Sequence, residues 1–295
     1  MTTIVICYVK GTSSILRVTL DSISRHTQVP VEIVISVASG GIDQELLVLS
    51  KDMPIRVVEV PERLIGPNRH GSQLDYVIAN EVSTEFILTL DSDAVPISDG
   101  WLKELELILS GSNVGTAGIL HPWAPPPPDL SIKSVEKRVR DQHCWKTTHV
   151  ACQLMSTSIA SSLIAKGIRF SSGDDTGLAI VKSLKESGLS CLGYRPTRCP
   201  IPKTDFDPEH NRLSCVVFGD KILHVGGFTR KSVYGDLEVF GNAFGWARDK
   251  ILEIGRADFL LDDENSYRYQ FDREEEVSET RMQELFGLSE KATKD

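Results

Sequence analysis

The chain has 295 residues, of which 41% are hydrophobic and 25% charged, so it can bury a sizeable core and has the composition of an ordinary globular protein. Its formal net charge of -9 disfavours binding to duplex DNA, although a local basic patch would still permit it. The six cysteines are scattered without a C-x-x-C pair, which argues against the common zinc and dithiol motifs and favours reduced thiols.

The first 120 residues alternate between strand-like and helix-like segments with short breaks, the pattern of a parallel sheet with crossover helices. We predict strands at residues 4–9, 31–37, 55–60, 86–90 and 114–120. Three intervening helices are indicated by apolar faces at Leu16, Leu20 and Ile23, at Leu74, Val77 and Ile78, and at Trp101, Leu105 and Ile108. This part of the chain therefore has a nucleotide-binding type of α/β architecture.

Two aspartates directly follow the apolar run at residues 86–90. Asp91 and Asp93 stand one residue apart in the sequence FILTLDSDAVP. In an extended chain, positions i and i+2 point the same way, so both carboxylates can converge on one ligand at the strand end, where open α/β sheets bind their ligands. Hard oxygen ligands suit Mg²⁺ or Mn²⁺. The alternative is that the two aspartates only form a turn at the strand end. A second Asp-x-Asp occurs at residues 205–207 in a loop-like context, so the motif by itself does not establish a ligand site.

The alternation breaks at residues 121–130, HPWAPPPPDL, where four consecutive prolines favour a stiff extended segment. This segment is either a linker or a rigid wall beside a cleft.

From residue 261 onward, the chain has 11 Asp or Glu and 5 Lys or Arg, which favours a solvated helical appendage or partial disorder. Between these segments we predict a helix at 134–143, a strand over HVACQLM, helices over SIASSLIAKG and at 175–186, and strands at 215–218 and 222–224.

Three stretches of the chain resemble the nucleotide-sugar-binding half of GT-A glycosyltransferases, especially family 2. They are, in order, ICYVKGTSSILRVTLDSI, VEIVISVASGG and NRHGSQLDYVIANEVSTEFILTLDSDAVP. The resemblance is continuous over roughly residues 3–110 and returns in patches to about residue 230. It implies an α/β fold of the GT-A, Rossmann-like type, with a mostly parallel sheet flanked by helices, an acceptor-side extension and an acidic C-terminal helical appendage.

The same resemblance implies a division of the chain into two parts. A GT-A glycosyltransferase domain would occupy residues 1–230, with the nucleotide-sugar-binding half at 1–120 and the acceptor and catalytic half at 121–230. The C-terminal helical extension with its acidic tail would then occupy residues 231–295.

The resemblance also implies a metal site for Mn²⁺ or Mg²⁺. Asp93 would ligate the ion, and Asp91 would face the donor ribose or reach the ion through water. In the family, the ion stabilises the negative charge that develops on the diphosphate leaving group. His224, in the sequence KILHVGGFTRKS, would complete the site, although a lone histidine at a strand end is more often packed or at the surface.

Five further residues are implied to contact the donor. They are Tyr8 at the end of the first strand, Asn68 and Arg69 in IGPNRHGSQL, and Arg230 and Lys231, which follow two glycines and would close over the diphosphate. A turn followed by a helix start explains Asn68 equally well. The second strand ends on SVAS instead of the aspartates common in the family, so a uridine base is in doubt.

Two consecutive acids occur in the segment FSSGDDTGLAIVKSL. An inverting transferase needs a base, because the acceptor hydroxyl loses its proton as it attacks the anomeric carbon. The resemblance makes Asp175 this base, with Asp174 beside it on the acceptor side. Helix capping is the alternative role for both acids. Trp123, in the proline segment, is a candidate to stack on an acceptor sugar.

These expectations describe a metal-dependent enzyme that moves a hexosyl or pentosyl group from a nucleoside-diphosphate-sugar donor to an acceptor hydroxyl. The enzyme would be inverting and non-processive. The Gln-x-x-Arg-Trp motif of processive synthases is absent. The acceptor is open among a glycan, a lipid head group, a protein and a nucleobase. The alternatives are a retaining GT-A enzyme and a non-catalytic nucleotide-sugar-binding protein. A nucleotidyltransferase is disfavoured because the G-x-G-T-R loop is missing.

The expected location is the cytoplasm. No apolar run approaches the roughly 20 residues that span a bilayer, and the first residues show no signal-peptide pattern. We therefore expect a soluble, intracellular protein.

Overall fold

The computed structural model describes residues 1–121, 147–172, 176–199, 216–225 and 267–268. The strands are β1 (Thr2–Tyr8), β2 (Val31–Ala38), β3 (Ile55–Val60), β4 (Phe86–Asp91), β5 (Ala94–Pro96), β6 (Val114–His121), β7 (Thr147–Ser156), β8 (Ser190–Tyr194), β9 (Pro196–Cys199), β10 (Val216–Phe218), β11 (Ile222–His224) and β12 (Tyr267–Arg268). The helices are α1 (Ser13–His26), α2 (Gln44–Asp52), α3 (Arg69–Asn80), α4 (Trp101–Leu109), α5 (Thr157–Ala165) and α6 (Leu178–Glu186), with a 3₁₀ turn at Glu62–Leu64.

Seven of these strands form one mostly parallel sheet in the order β3-β2-β1-β4-β7-β6-β8. Strands β1 to β4 are mutually parallel, and β6 pairs in parallel with β8. Strand β7 runs antiparallel to both of its neighbours, β4 and β6. The predicted α/β class, with a mostly parallel sheet flanked by helices, is confirmed.

Helices cover both faces of this sheet because successive strand side chains point to opposite sides. Ile4 and Ile6 of β1 pack into the cluster that contains α1, α2 and α4, whereas Val5 packs into the cluster of α3, α5 and α6. The predicted apolar faces of α1 and α3 are buried, and so are Trp101 and Leu105 of α4. This burial on both faces explains why the strands read as nearly continuous apolar runs.

A second sheet, which the sequence does not predict, contains five short antiparallel strands in the order β12-β9-β10-β11-β5. Only Ser92 and Asp93 separate β4 of the first sheet from β5 of the second. The Asp-Ser-Asp sequence is therefore the point at which the chain passes from one sheet to the other.

The elements predicted downstream of residue 121 are confirmed where the structure describes them. Strand β7 and helix α5 match their predictions, and β10 and β11 lie at 216–218 and 222–224. Helix α6 begins at Leu178, later than the predicted residue 175, because Gly177 occupies the N-cap with φ 80°. The helix expected at 134–143 lies outside the described residues, as does the acidic tail apart from β12.

None of the described helices is long and apolar enough to cross a bilayer.

Strand β12 falls within the predicted C-terminal extension and pairs with β9 of the predicted catalytic half.

Candidate metal centre

Three side chains that the sequence analysis assigned to a metal converge at the junction of the two sheets. Asp91 ends β4, Asp93 precedes β5, and His224 ends β11. Strand β11 pairs antiparallel with β5 in a register that sets His224 opposite Ala94, and the Val225 N–H donates to the Asp93 carbonyl at 3.0 Å. This pairing brings the histidine beside the aspartates, although it lies far along the chain.

The spacing of the three side chains fits one divalent ion. His224 Nε2 lies 3.8 Å from Asp93 Oδ1 and 4.0 Å from Asp91 Oδ2. One potential ligand atom from each residue lies within 4.8 Å of the others. Two ligands bound to the same ion at about 2.1 Å lie at most about 4.2 Å apart. Both distances from the histidine meet this limit.

The protonation state of His224 also suits a ligand. Its side chain is buried, and this burial lowers the pKa of His224 to about 4. The imidazole is therefore neutral at neutral pH, as metal ligation requires. The ring of His149 lies next to it, with the ring centroids 6.0 Å apart. Two carboxylates and a neutral imidazole form a donor set suited to Mn²⁺.

Helix α1 holds the turn that carries the aspartates. The hydroxyl of the buried Thr19 donates to the Ser92 carbonyl at 2.6 Å, and the Ser22 hydroxyl donates to the Pro96 carbonyl. Asp93 is itself only 4% exposed. Because these contacts fix the backbone on both sides of Asp93, its carboxylate is held in place before any ligand binds.

A second histidine, His70, lies near the other carboxylate oxygen of Asp91. His70 Nε2 lies 3.5 Å from Asp91 Oδ1, whereas His224 faces Asp91 Oδ2. The Cys7 thiol donates to the His70 carbonyl at 3.9 Å. Burial, together with the charge of Asp91, raises the pKa of the Cys7 thiol, so it stays protonated. The sequence analysis gave His70 no role, because its proximity to Asp91 depends on how α3 packs beside β4.

The residues predicted to contact the donor on α3 already have partners in the protein. Asn68 is the N-cap of α3, and its Oδ1 accepts hydrogen bonds from the Gly71 N–H at 2.9 Å and the Thr176 hydroxyl at 3.0 Å. Arg69 is more than half exposed and forms an ion pair with Glu62 at 3.3 Å. The capping role of Asn68 is therefore confirmed, and donor binding by both residues stays a prediction.

Helix α3 also anchors the chain on both sides of residues 173–175. The Asp75 carboxylate accepts hydrogen bonds from the Phe170 N–H at 2.7 Å, and from the Ser171 N–H at 3.1 Å and hydroxyl at 2.6 Å. On the far side, Thr176 bonds Asn68 as described above, and the Gly177 N–H donates to the Phe170 carbonyl at 2.9 Å. Both ends of the segment are thus attached to the helix that also carries His70.

Gly71 makes this anchoring possible. A Cβ at this position would lie 2.5 Å from Ser171 Cα and 2.6 Å from the Phe170 carbonyl oxygen. Both are backbone atoms that a side-chain rotation cannot move aside. The close packing of α3 against residues 170–171 therefore requires glycine.

Tyr8 lies at the same sheet edge but is only 3% exposed. Its hydroxyl donates to Asp43 Oδ2 at 2.7 Å, and the Gly11 N–H donates to the same oxygen at 3.0 Å. Asp43 also caps α2 by accepting from the Leu46 N–H at 2.8 Å. An acidic residue therefore does follow β2, five positions after the strand ends, and the sequence analysis missed it. An Asp immediately before an amphipathic helix was the signal that would have found it.

Five of the predicted site residues lie outside the described residues. They are Trp123, Asp174, Asp175, Arg230 and Lys231. Their predicted roles stay predictions. The N-cap of α6 is Gly177, so the helix-capping alternative for Asp175 does not apply at the N-cap position itself.

No protein-family model matches the chain, and no curated protein is significantly similar to it. Among solved structures, it is similar to the mannosyltransferase PcManGT from Pyrobaculum calidifontis in complex with GDP-Man and Mn²⁺, with 14% identity and a TM-score of 0.48. That match covers 65% of this chain and 54% of the mannosyltransferase, about half of its length.

A second similar structure is glucosyl-3-phosphoglycerate synthase from Mycobacterium tuberculosis in complex with Mn²⁺, UDP and phosphoglyceric acid. The identity is 16% and the TM-score 0.46, over 66% of this chain and 68% of the synthase. At these levels of similarity, the function of the chain has to be inferred from the residues of its own site.

Proposed function

We propose that this chain is a metal-dependent glycosyltransferase that moves a hexosyl or pentosyl group from a nucleoside-diphosphate sugar to an acceptor hydroxyl. The observation that carries the proposal is the convergence of Asp91, Asp93 and His224 at the carboxyl edge of a mostly parallel sheet. Ligands of open α/β sheets bind at this edge. A strand-ending turn would explain the two aspartates, but it would not explain a buried neutral histidine placed against both.

In this proposal, Asp93 and His224 bind the ion directly, and Asp91 binds it directly or contacts the donor ribose. The bound ion, Mn²⁺ or Mg²⁺, stabilises the negative charge that develops on the departing diphosphate. The protein supplies a prearranged site, because α1 fixes the backbone around Asp93 and β5 fixes His224. Tyr8, Asn68, Arg69, Arg230 and Lys231 are the proposed donor contacts.

The acceptor side of the proposal assigns the base to Asp175 and assigns acceptor contacts to Asp174 and Trp123. Support comes from the hydrogen bonds of Phe170 and Ser171 to Asp75 of α3, and of Thr176 to the N-cap of that helix, because the same helix carries His70 next to Asp91. A base tied to the donor-binding helix would keep a constant distance from the anomeric carbon, and proximity of this kind contributes strongly to rate. The proposed reaction inverts the anomeric carbon and transfers one sugar or a few.

Two alternatives are distinguished by simple outcomes. A retaining enzyme would use the same metal site but yield product with the anomeric configuration of the donor. A non-catalytic nucleotide-sugar-binding protein would bind donor together with metal and release no nucleoside diphosphate.

The deciding experiment measures release of nucleoside diphosphate from UDP-, GDP-, dTDP- and CDP-sugars, in Mn²⁺ or in EDTA. We expect slow hydrolysis of at least one donor in Mn²⁺, abolished by EDTA and reduced by about 100-fold or more in Asp93→Asn. The substitution changes only one atom of the side chain, so it removes a charge with little change in packing.

The matched control is Asp52→Asn, which removes an exposed carboxylate paired with Arg17 on α1. This variant should hydrolyse the donor at the wild-type rate. If no donor is turned over and none raises the melting temperature in the presence of Mn²⁺, the glycosyltransferase proposal is wrong.

A further inference from the structure

We propose that His70 is a positioning residue of the metal centre, which holds one oxygen of Asp91 so that the other is presented to the ion. The inference rests on the proposed function and extends it to a residue outside the Asp91, Asp93 and His224 group. Its basis is the arrangement of the two histidines, which approach the two oxygens of Asp91 separately, His70 at Oδ1 and His224 at Oδ2.

A carboxylate at a strand end can rotate about its Cβ–Cγ bond, and such rotation would turn either oxygen toward the ion. His70 Nε2 lies 3.5 Å from Oδ1, and a proton on this nitrogen would restrict the rotation. Asp91 keeps 23% of its side chain exposed, compared with 5% for Asp93, so packing restrains it less. It is therefore the ligand that gains most from a second partner.

The backbone of His70 is suited to this task because it is fixed from several directions. It occupies the first turn of α3, whose N-cap is Asn68, and the neighbouring Gly71 packs directly on the backbone of Phe170 and Ser171. The thiol of Cys7, which stands opposite Asp91 in the β1–β4 register, donates to the His70 carbonyl. A histidine on so rigid a support can define the orientation of the carboxylate it contacts.

The physical consequence concerns metal affinity. Residues that contact a metal ligand from outside the metal site typically contribute 10- to 100-fold to affinity, because they hold the ligand in its binding orientation. A direct ligand contributes more, since its loss leaves the ion without one of its bonds. Removal of His70 should therefore weaken metal binding, but by less than removal of His224.

The test measures the dissociation constant of Mn²⁺ with the metal-free protein, by electron paramagnetic resonance of free Mn²⁺ at a fixed neutral pH. We expect His70→Ala to raise the dissociation constant by about 10- to 100-fold. His70→Gln should recover most of this loss, because the Gln side chain also ends in an N–H donor. His224→Ala should lose more affinity than either.

The matched control is His26→Ala, which removes another histidine that contacts an aspartate, here the exposed Asp99 at 2.7 Å. It should bind Mn²⁺ like the wild type. Unchanged affinity in His70→Ala overturns the inference, and so does a loss as large as that of His224→Ala, because His70 would then be a ligand itself. If the wild-type protein does not bind Mn²⁺ at all, the proposed function fails instead.

Discussion

At the scale of single residues, Asp43 connects two loops at the carboxyl edge of the sheet. One carboxylate accepts hydrogen bonds from the Tyr8 hydroxyl, the Gly11 N–H and the Leu46 N–H. Partial burial acts to raise its pKa, but these three donors outweigh burial and the pKa of Asp43 is lowered overall. The folded protein therefore favours the ionised carboxylate more than the unfolded chain does.

This shift predicts how stability depends on pH. Because the folded-state pKa lies below the unfolded value of about 3.9, the contribution of Asp43 is present above that pH and is lost as the pH falls through the folded-state pKa. Asp43→Asn should be less stable than the wild type at pH 7, and the difference should shrink below about pH 4. Urea unfolding of both proteins between pH 7 and pH 3 measures it.

Asn is a suitable replacement because it can still cap α2. A stability difference between the two proteins that stays constant over this pH range would show that Asp43 does not contribute through its charge.

At the scale of secondary structure elements, helix α1 and strand β11 determine the shape of the candidate metal site. Thr19 and Ser22 of α1 bond the carbonyls of Ser92 and Pro96, and β11 pairs with β5 between those two points. The loop that carries Asp91 and Asp93 is therefore held from the helix side and from the strand side. The geometry of the site should depend on residues that never touch a ligand.

Thr19→Val tests this dependence, because valine keeps the shape of threonine and removes the hydroxyl. We expect a loss of about 1–3 kcal/mol in the free energy of unfolding, since the Ser92 carbonyl loses a buried donor. Mn²⁺ should also bind more weakly. Urea unfolding and calorimetric titration with Mn²⁺ measure the two effects.

Thr19→Ser is the matched control, because it retains the hydroxyl and loses only a methyl group. It should keep the wild-type affinity for Mn²⁺. Equal affinities in the valine and serine variants would mean that the bond from α1 does not shape the site.

At the scale of the whole molecule, the candidate metal centre lies where the two sheets meet. Asp91 belongs to β4 of the seven-stranded sheet, and His224 belongs to β11 of the five-stranded sheet. These residues lie far apart in the chain, so the unfolded protein cannot assemble the site. An ion that binds the folded state alone stabilises it by mass action.

We therefore expect Mn²⁺ to stabilise the protein against unfolding. At a free concentration of about 100 times the dissociation constant, the gain is about 2.7 kcal/mol. Thermal unfolding over a range of Mn²⁺ concentrations should show a rising midpoint in the wild type and little change in Asp93→Asn. Equal shifts in both proteins would indicate that Mn²⁺ acts elsewhere on the surface.

The sequence by itself determined most of the main sheet, although it did not predict the edge strand β8. Strands β1 to β4 and β6 lie within two residues of their predicted bounds, because a strand buried on both faces requires an apolar run that is visible in a short window. The ends of these strands are equally visible, so Asp91 and Asp93 were located correctly at the carboxyl edge. The burial of α1 and α3 likewise follows from periodicity alone.

The tertiary structure alone decided which side chains meet at that edge. Strand β5 has three residues and ends on Pro96, too short a run to show a periodic pattern, yet its pairing with β11 sets the distance from His224 to Asp93. His70 reaches Asp91 only through the packing of α3 beside β4. Periodicity reports how one segment faces the core, whereas contacts between distant segments depend on strand register and helix packing, which no single segment encodes.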